Sequence, residues 1–251
     1  MIRRVQGQIG FYAFESLSRF PELRHGVTTR SGPDGRDWSF SFQNQPDPRE
    51  VIANIDAACG ALGLGPASFV GQVHGARVLV LGPHETYRPR EPGQVFEGFD
   101  ALVSGFGHTL MIRLADCQGL LIYDRASRVL GLAHNGWRGS VQNVAGRTAN
   151  TMARIFGLDP RGFVACVSPS LGPCCAEFVN YRDELPPEFL DFKDERDHFD
   201  FPAITRRQLM AAGLRGENIE LSGLCSRCSD DFFSHRRGDA GRFALLAGVV
   251  A

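Results

Sequence analysis

The sequence predicts an α+β fold with helices packed outside sheets. Two observations carry that reading: a series of short apolar runs bounded by glycine or charge, and a few longer segments with the 3.6-residue period of amphipathic helices. The chain has 251 residues, 43% hydrophobic and 22% charged, enough to bury a substantial core. It contains no internal repeat, low-complexity tract or long linker, so one domain spanning residues 1–251 is expected, with Gly82 to Gly98 as a surface excursion.

The first helix is signalled by Asp47 as cap and Pro48 in the first turn. Val51, Ile52, Ile55, Ala58, Cys59 and Leu62 then fall on one face, and Gly63 and Gly65 end it. Strands are expected at Phe69–His74, Arg77–Leu81, Asp100–Ser104, Thr109–Leu114, Gly119–Tyr123 and Val129–Ala133. Beyond Gly139 the period changes: Val141, Val144, Ala145, Thr148, Met152 and Ile155 share a helical face that stops at Gly157. A strand at Phe163–Val167, a helix at Ile204–Ala212 and a final strand at Phe243–Val250 complete the expectation.

Lys and Arg total 27 against 28 Asp and Glu, a formal net charge of −1. That balance leaves no global excess for gripping phosphate backbones or anionic lipid, so neither nucleic acid nor membrane is an expected partner. No apolar run is long enough to span a bilayer, and the opening residues lack the apolar core of an export signal; a cytoplasmic location is expected. Seven cysteines, an odd number in a chain of this size, fit reduced thiols rather than a disulfide framework.

Three segments place an imidazole or thiol at the end of an expected strand: Gln72-Val73-His74-Gly75, Ala115-Asp116-Cys117, and Ala133-His134-Asn135-Gly136-Trp137-Arg138-Gly139. Two imidazoles and a thiolate suit Zn²⁺ and leave its fourth position open, the mark of a catalytic site. Taken singly, each His reads as a hydrogen-bonded structural residue and each Cys as a small buried hydrophobe. The joint placement beside Gly or Asp favours a site. Copper can occupy the same ligands, because Cu²⁺ outcompetes zinc for them.

Arg138 stands where a turn feeds a helix, so Gly136, Gly139 and the first free N–H groups can cradle an anion beneath its guanidinium, phosphate above all. The plainer alternative is that the glycines only make the turn. Asp116 is a candidate to orient a His ligand or shuttle a proton, with an ordinary backbone cap as the equal alternative. Cys225 and Cys228 form a C-x-x-C and Cys174-Cys175 are adjacent. Structural zinc there is disfavoured, because adjacent cysteines are expected to chelate one tetrahedral ion poorly. Ser234-His235-Arg236-Arg237 reads as a solvated basic turn or a second contribution to phosphate binding.

The ordered set TTRSG, GQVHG, FDALVS, LADC, AHNGWRG, SPSLGPCC and FFSHRRG with GRFALL resembles the YfiH/laccase-domain family, also called multicopper polyphenol oxidase; the likeness runs from about Gly26 to the C-terminus. It implies a four-layered α/β/β/α fold with mixed sheets, and a zinc site at His74, Cys117 and His134. It also implies enzymes that phosphorolyse adenosine, inosine or guanosine, cleave methylthioadenosine and deaminate adenosine; one bacterial branch is linked to editing peptidoglycan precursors. The implied partners are purine nucleosides and inorganic phosphate. On that chemistry His74, Cys117 and His134, with Asp116 as candidate acid, are the expected catalytic residues, and Arg30, Gln72 and Arg138 are expected to bind substrate. This chain departs from the family at Gly119, where proline is usual, at Ser39-Phe40-Ser41-Phe42, and at Gly32-Pro33-Asp34-Gly35. The altered segment is expected near the nucleoside pocket.

A multicopper centre needs several imidazole-rich clusters, whereas this chain has seven His and no His-x-His pair, which argues against laccase chemistry as the physiological activity. Two other classes remain. One is a metal-free cysteine hydrolase with Cys117 as nucleophile and His134 or His74 as base. The other is a non-catalytic binding module, against which the candidate ligands argue.

Overall fold

A computed structural model describes residues 1–43, 47–86 and 98–250. Most of the Gly82–Gly98 excursion lies outside the described residues. In chain order the protein begins with β1 (Ile2–Gln6), β2 (Ile9–Ala13) and β3 (Leu23–Thr28), followed by α1 (Pro48–Ala61) and β4 (Ala67–Ser68). Next come β5 (Val78–Val80), β6 (Ala101–Ser104), β7 (Thr109–Leu114), β8 (Gln118–Asp124) and β9 (Val129–Asn135). The last part supplies α2 (Trp137–Val141), α3 (Val144–Phe156), β10 (Val164–Val167), α4 (Tyr181–Glu184), α5 (Phe201–Ala211), β11 (Ile219–Leu221) and β12 (Phe243–Val249).

The strands form two six-stranded mixed sheets, in the orders β1-β2-β3-β12-β7-β4 and β11-β10-β8-β9-β6-β5. The main core lies between them, where Val27, Ile112 and Leu245 of the first sheet meet Leu102, Leu121 and Leu132 of the second. The outer face of the first sheet is covered by α1, whose Val51, Ile55 and Ala58 pack on Phe11, Met111 and Leu246. The outer face of the second is covered by α3 and α5, with Ala145, Ala149, Met152 and Leu209 against Val103, Ile122 and Ala165. The result is the expected four-layered α/β/β/α arrangement. Each fully buried Val or Ile on α1 contributes about 1.5–3 kcal/mol relative to exposure, which fixes the helix on its sheet.

The helix termini follow local chemistry. Asp47 accepts a hydrogen bond from the Arg49 N–H at 2.9 Å, with Pro48 just inside α1. Gly157 ends α3 at φ 67°, a left-handed conformation that glycine adopts without steric cost. The expected helix over Val141–Ile155 is two: Asn143, at φ 57°, separates α2 from α3, and its side chain caps α3 by accepting from the Gly146 N–H.

The expected strand at Phe69–His74 is corrected by the structure. Apart from a bridge at Gly71 the segment is irregular. The Gln72 side chain takes the place of a strand partner: its amide donates to the Arg113 carbonyl at 2.8 Å and accepts from the Arg113 N–H at 2.9 Å. At Gly119, where the family usually has proline, the backbone N–H donates to Ser168 Oγ at 2.8 Å, and an added Cβ would lie 2.7 Å from Leu114 Cδ1. Proline has no N–H for that bond and no room for its ring.

Candidate metal centre and pocket

Strand register assembles the site. In the β8–β9 pair Gln118 lies opposite Asn135, so Cys117, immediately before β8, arrives beside His134 and Gly136. In the β6–β9 pair Ala101 lies opposite Ala133, which brings Asp100, just before β6, level with His134. The His134 N–H donates to the Asp100 carbonyl at 2.7 Å. His74 reaches the same place from the loop between β4 and β5. Its φ of 60° is held by the Asp100 carboxylate, which accepts from the backbone N–H groups of Val73, His74 and Gly75 at 3.3, 2.9 and 2.6 Å. A left-handed non-glycine conformation is strained, and such strain clusters at functional sites; Asp116, at φ 78°, is a second example here.

The ligating atoms of His74, Cys117 and His134 all lie within 4.8 Å of one another. His134 is buried, Cys117 half-buried and His74 exposed, so the cluster opens on one side. The His134 Nδ1 lies 2.8 Å from Asp100 Oδ1. Burial raises the Asp100 carboxyl, but the hydrogen bond and charge of His134 and the N–H groups of Gly75 and Val73 outweigh it and hold it below the usual carboxylate range. An ionised carboxylate only accepts, so Nδ1 carries a proton toward Asp100 and Nε2 is the nitrogen left to face the cluster; its own proton must leave before it can ligate a metal.

Burial by itself would push the Cys117 thiol up; the His134 charge and hydrogen bonds from His134 and His74 prevail and bring it down to about 6. Burial lowers His134, but Cys117 and Asp100 lift it to about 9. A thiolate and two imidazoles are the donor set of a borderline metal such as zinc. Gly136 makes the approach possible: a Cβ there would lie 2.9 Å from Cys117 Sγ and 3.2 Å from His74 Cδ2. Behind the cluster, buried Asn135, Thr205 and Gln118 are joined by hydrogen bonds of 2.9 and 2.8 Å, which lock the strand ends in place.

The cluster lies in a pocket of about 530 Å³. Its walls carry Arg113, Arg138, His235, Arg236 and Arg242, together with Trp137 and Phe178. The Arg138 guanidinium lies 4.1 Å over the Trp137 ring. Burial, and to a lesser degree the neighbouring Arg242 charge, lowers Arg113 to about 10, and its buried Nε has no hydrogen-bond partner. Among the described residues neither Arg113 nor Arg242 forms an ion pair, which leaves the wall suited to an anion. A more open depression of about 720 Å³ beside α3 contains none of the cluster residues.

The structure brings Gln72, His74, Asp116, Cys117, His134 and Arg138 to this pocket. Arg30 does not line it: its guanidinium pairs with Asp37 at 2.7 and 2.9 Å and with Asp239 at 3.4 Å. Both Asp116 carboxylate oxygens are occupied, accepting from Ser226 Oγ and from the Arg236 N–H, each at 2.6 Å. Sequence reasoning passed over Asp100, Arg113 and Arg242. The FDALVS segment was the available signal for Asp100, and the arginines stand near strand ends among apolar neighbours. Ser41 and Gln43 also line the pocket, so the altered Ser39–Phe42 segment does reach it.

The family model described as multi-copper polyphenol oxidoreductase laccase matches residues 24–250. A purine nucleoside phosphorylase of Deinococcus radiodurans is 32% identical over 250 residues, 93% of this chain and 92% of that protein. Adenosine deaminase RL5, from an unknown prokaryotic organism, is 31% identical over 234 residues, 84% of this chain and 87% of that one. The crystal structure of the Bacillus licheniformis hypothetical protein YfiH superposes with a TM-score of 0.84 at 23% identity, covering 98% of each chain. With its model matched over nearly the whole chain, and the fold and relatives in agreement, this protein belongs to the multi-copper polyphenol oxidoreductase laccase family.

Proposed function

We propose that the protein is a zinc-dependent enzyme of purine nucleosides that phosphorolyses adenosine, inosine, guanosine and methylthioadenosine and deaminates adenosine. The observation that carries this reading is the convergence of His74, Cys117 and His134 in a pocket walled by arginine. Relatives named purine nucleoside phosphorylase and adenosine deaminase support the substrate class.

The donor set fits a bound Zn²⁺: a thiolate held low, an imidazole with its tautomer fixed by Asp100, and a second imidazole on the open side. When bound, zinc supplies Lewis-acid polarisation at the open face of the cluster. The chain's own residues do the rest. In phosphorolysis a phosphate oxygen bonds to the anomeric carbon as the bond to the purine nitrogen breaks, and the purine departs with a proton. Arg138, aided by Arg113 and Arg242, holds the phosphate by charge-assisted hydrogen bonds and brings it up to the sugar. Trp137 and Phe178 give the base an apolar wall. Copper oxidase chemistry is not favoured: among the described residues the only metal-competent cluster with imidazole is this single His/Cys/His set, where Cu²⁺ binding would be adventitious.

One observation favours a second reading. Cys117 lies against His134, itself oriented by Asp100, which is the arrangement of a metal-independent cysteine nucleophile and its base. Incubating zinc-loaded protein with adenosine, with and without phosphate, and separating the products by chromatography tests the first reading. Adenine and ribose 1-phosphate formed only with phosphate support phosphorolysis, inosine formed without it supports deamination, and no product in either case overturns the proposal.

A further inference from the structure

Four cysteines that the pocket does not use come together on the far side of Asp116. Adjacent cysteines are expected to chelate poorly, yet the Sγ atoms of Cys174, Cys175, Cys225 and Cys228 all lie within 4.8 Å of one another. Cys228 Sγ is 3.7 Å from that of Cys174 and 3.4 Å from that of Cys175. The edge of a tetrahedron with zinc–sulfur bonds of about 2.3 Å is about 3.8 Å, so modest adjustment seats one ion among all four.

The backbone is built for this approach. The loop after β10 and the loop after β11 are joined by a parallel bridge between Ser170 and Cys225, where the Ser226 N–H donates to the Ser170 carbonyl at 2.8 Å. Cys174 and Cys175 sit in a tight turn closed by hydrogen bonds from Cys175 and Ala176 to the Gly172 carbonyl, at 2.9 and 3.0 Å. A Cβ on Gly172 would lie 3.1 Å from Cys225 Cβ, so glycine lets the two loops close. The Gly172 N–H donates to Cys225 Sγ at 3.3 Å. The Arg227 guanidinium stands 3.6 Å from Cys175 Sγ. Backbone N–H donors and a guanidinium are the groups that offset the two negative charges of a Zn²⁺ bound by four thiolates.

We propose that Cys174, Cys175, Cys225 and Cys228 form a second, structural Zn²⁺ site that fastens the wall of the pocket. Binding replaces four thiol protons with one Zn²⁺ and involves no change of oxidation state. The tie to the pocket is direct. Leu171 and Phe178, on either side of the cysteine turn, line it. Ser226, between Cys225 and Cys228, donates to Asp116, and the Arg236 guanidinium donates to the carbonyls of Cys175 and Glu177.

The site is tested independently of the His/Cys/His cluster in the full-length Cys117→Ala variant, by zinc analysis after gel filtration and by X-ray absorption at the zinc edge. Close to one zinc per chain is expected, in an all-sulfur shell at about 2.3 Å, against two in the wild type. Cys225→Ser in the Cys117→Ala background should lose that zinc. Should the double variant fail to fold, the absorption spectrum of Cys117→Ala still decides. A shell containing nitrogen or oxygen, a metal-free Cys117→Ala protein with its remaining thiols free, or disulfides among these four cysteines would each overturn the proposal.

Discussion

The Nδ1 of His134 lies 2.8 Å from Oδ1 of Asp100, and the same carboxylate holds the three N–H groups of the loop that carries His74. One buried acid therefore positions two of the three residues of the proposed metal site. Asp100→Asn preserves size but removes the anion that fixes the His134 tautomer. Zinc affinity, measured by competition with a chromogenic chelator, is expected to fall about tenfold to a hundredfold, the usual effect of losing such an orienting partner. Unchanged affinity would show that Asp100 serves only the backbone.

Gly136→Ala isolates the cluster from the fold. The backbone at Gly136 is extended, at φ −78°, so alanine brings no backbone strain. Its Cβ, 2.9 Å from Cys117 Sγ, must displace a ligand. Metal affinity is expected to drop at least about tenfold, or ~1.4 kcal/mol, while the circular dichroism spectrum stays native. Normal affinity would remove the close approach from the account.

Arg138→Ala should weaken phosphorolysis chiefly through the KM for phosphate, by about 1.5–3 kcal/mol for a charged hydrogen bond, or roughly tenfold to a hundredfold. Deamination, which needs no phosphate, should suffer less. Arg30→Ala, whose charge is engaged by Asp37 and Asp239, should leave the phosphate KM unchanged. Equal losses of both reactions in a folded Arg138→Ala protein would take Arg138 out of the phosphate site.

The sequence showed most of the frame and the residues that converge in the pocket. Val129–Ala133 appears as expected, inside β9, because it is an unbroken run of apolar residues and glycine that follows a charged turn, and the asymmetric termini of α1 and α3 were visible in Asp47-Pro48 and Gly157. The first strand gave no such signal: every residue of β1 is exposed, with two arginines and no alternation. Asp100 looked like the start of a strand, because its role depends on which residue of β9 lies opposite. The four-thiol cluster was hidden for a related reason, since it depends on two loops some fifty residues apart in sequence being brought together at the Ser170–Cys225 bridge.

His25 sets an acid limit on stability. Its ring nitrogen Nε2 accepts from the Phe14 N–H at 2.9 Å, and burial depresses it to about 4. The unfolded chain binds this proton near pH 6.5 and the native state does not, so stability is present above about 6.5 and declines as the pH falls toward 4. Urea unfolding across that window should show the decline, and His25→Leu should flatten it despite losing the Phe14 bond. An unaltered slope in the variant would assign the pH dependence to other groups.

In the proposed mechanism turnover needs a metal at His74, Cys117 and His134. The decisive assay follows phosphate-dependent release of purine base from adenosine before chelation, after removal of the metal, and after zinc is returned. Activity should vanish with the metal and return with zinc in the wild type, and should not return in Cys117→Ala. Full activity in the metal-free protein would contradict the account and establish Cys117 as a metal-independent nucleophile.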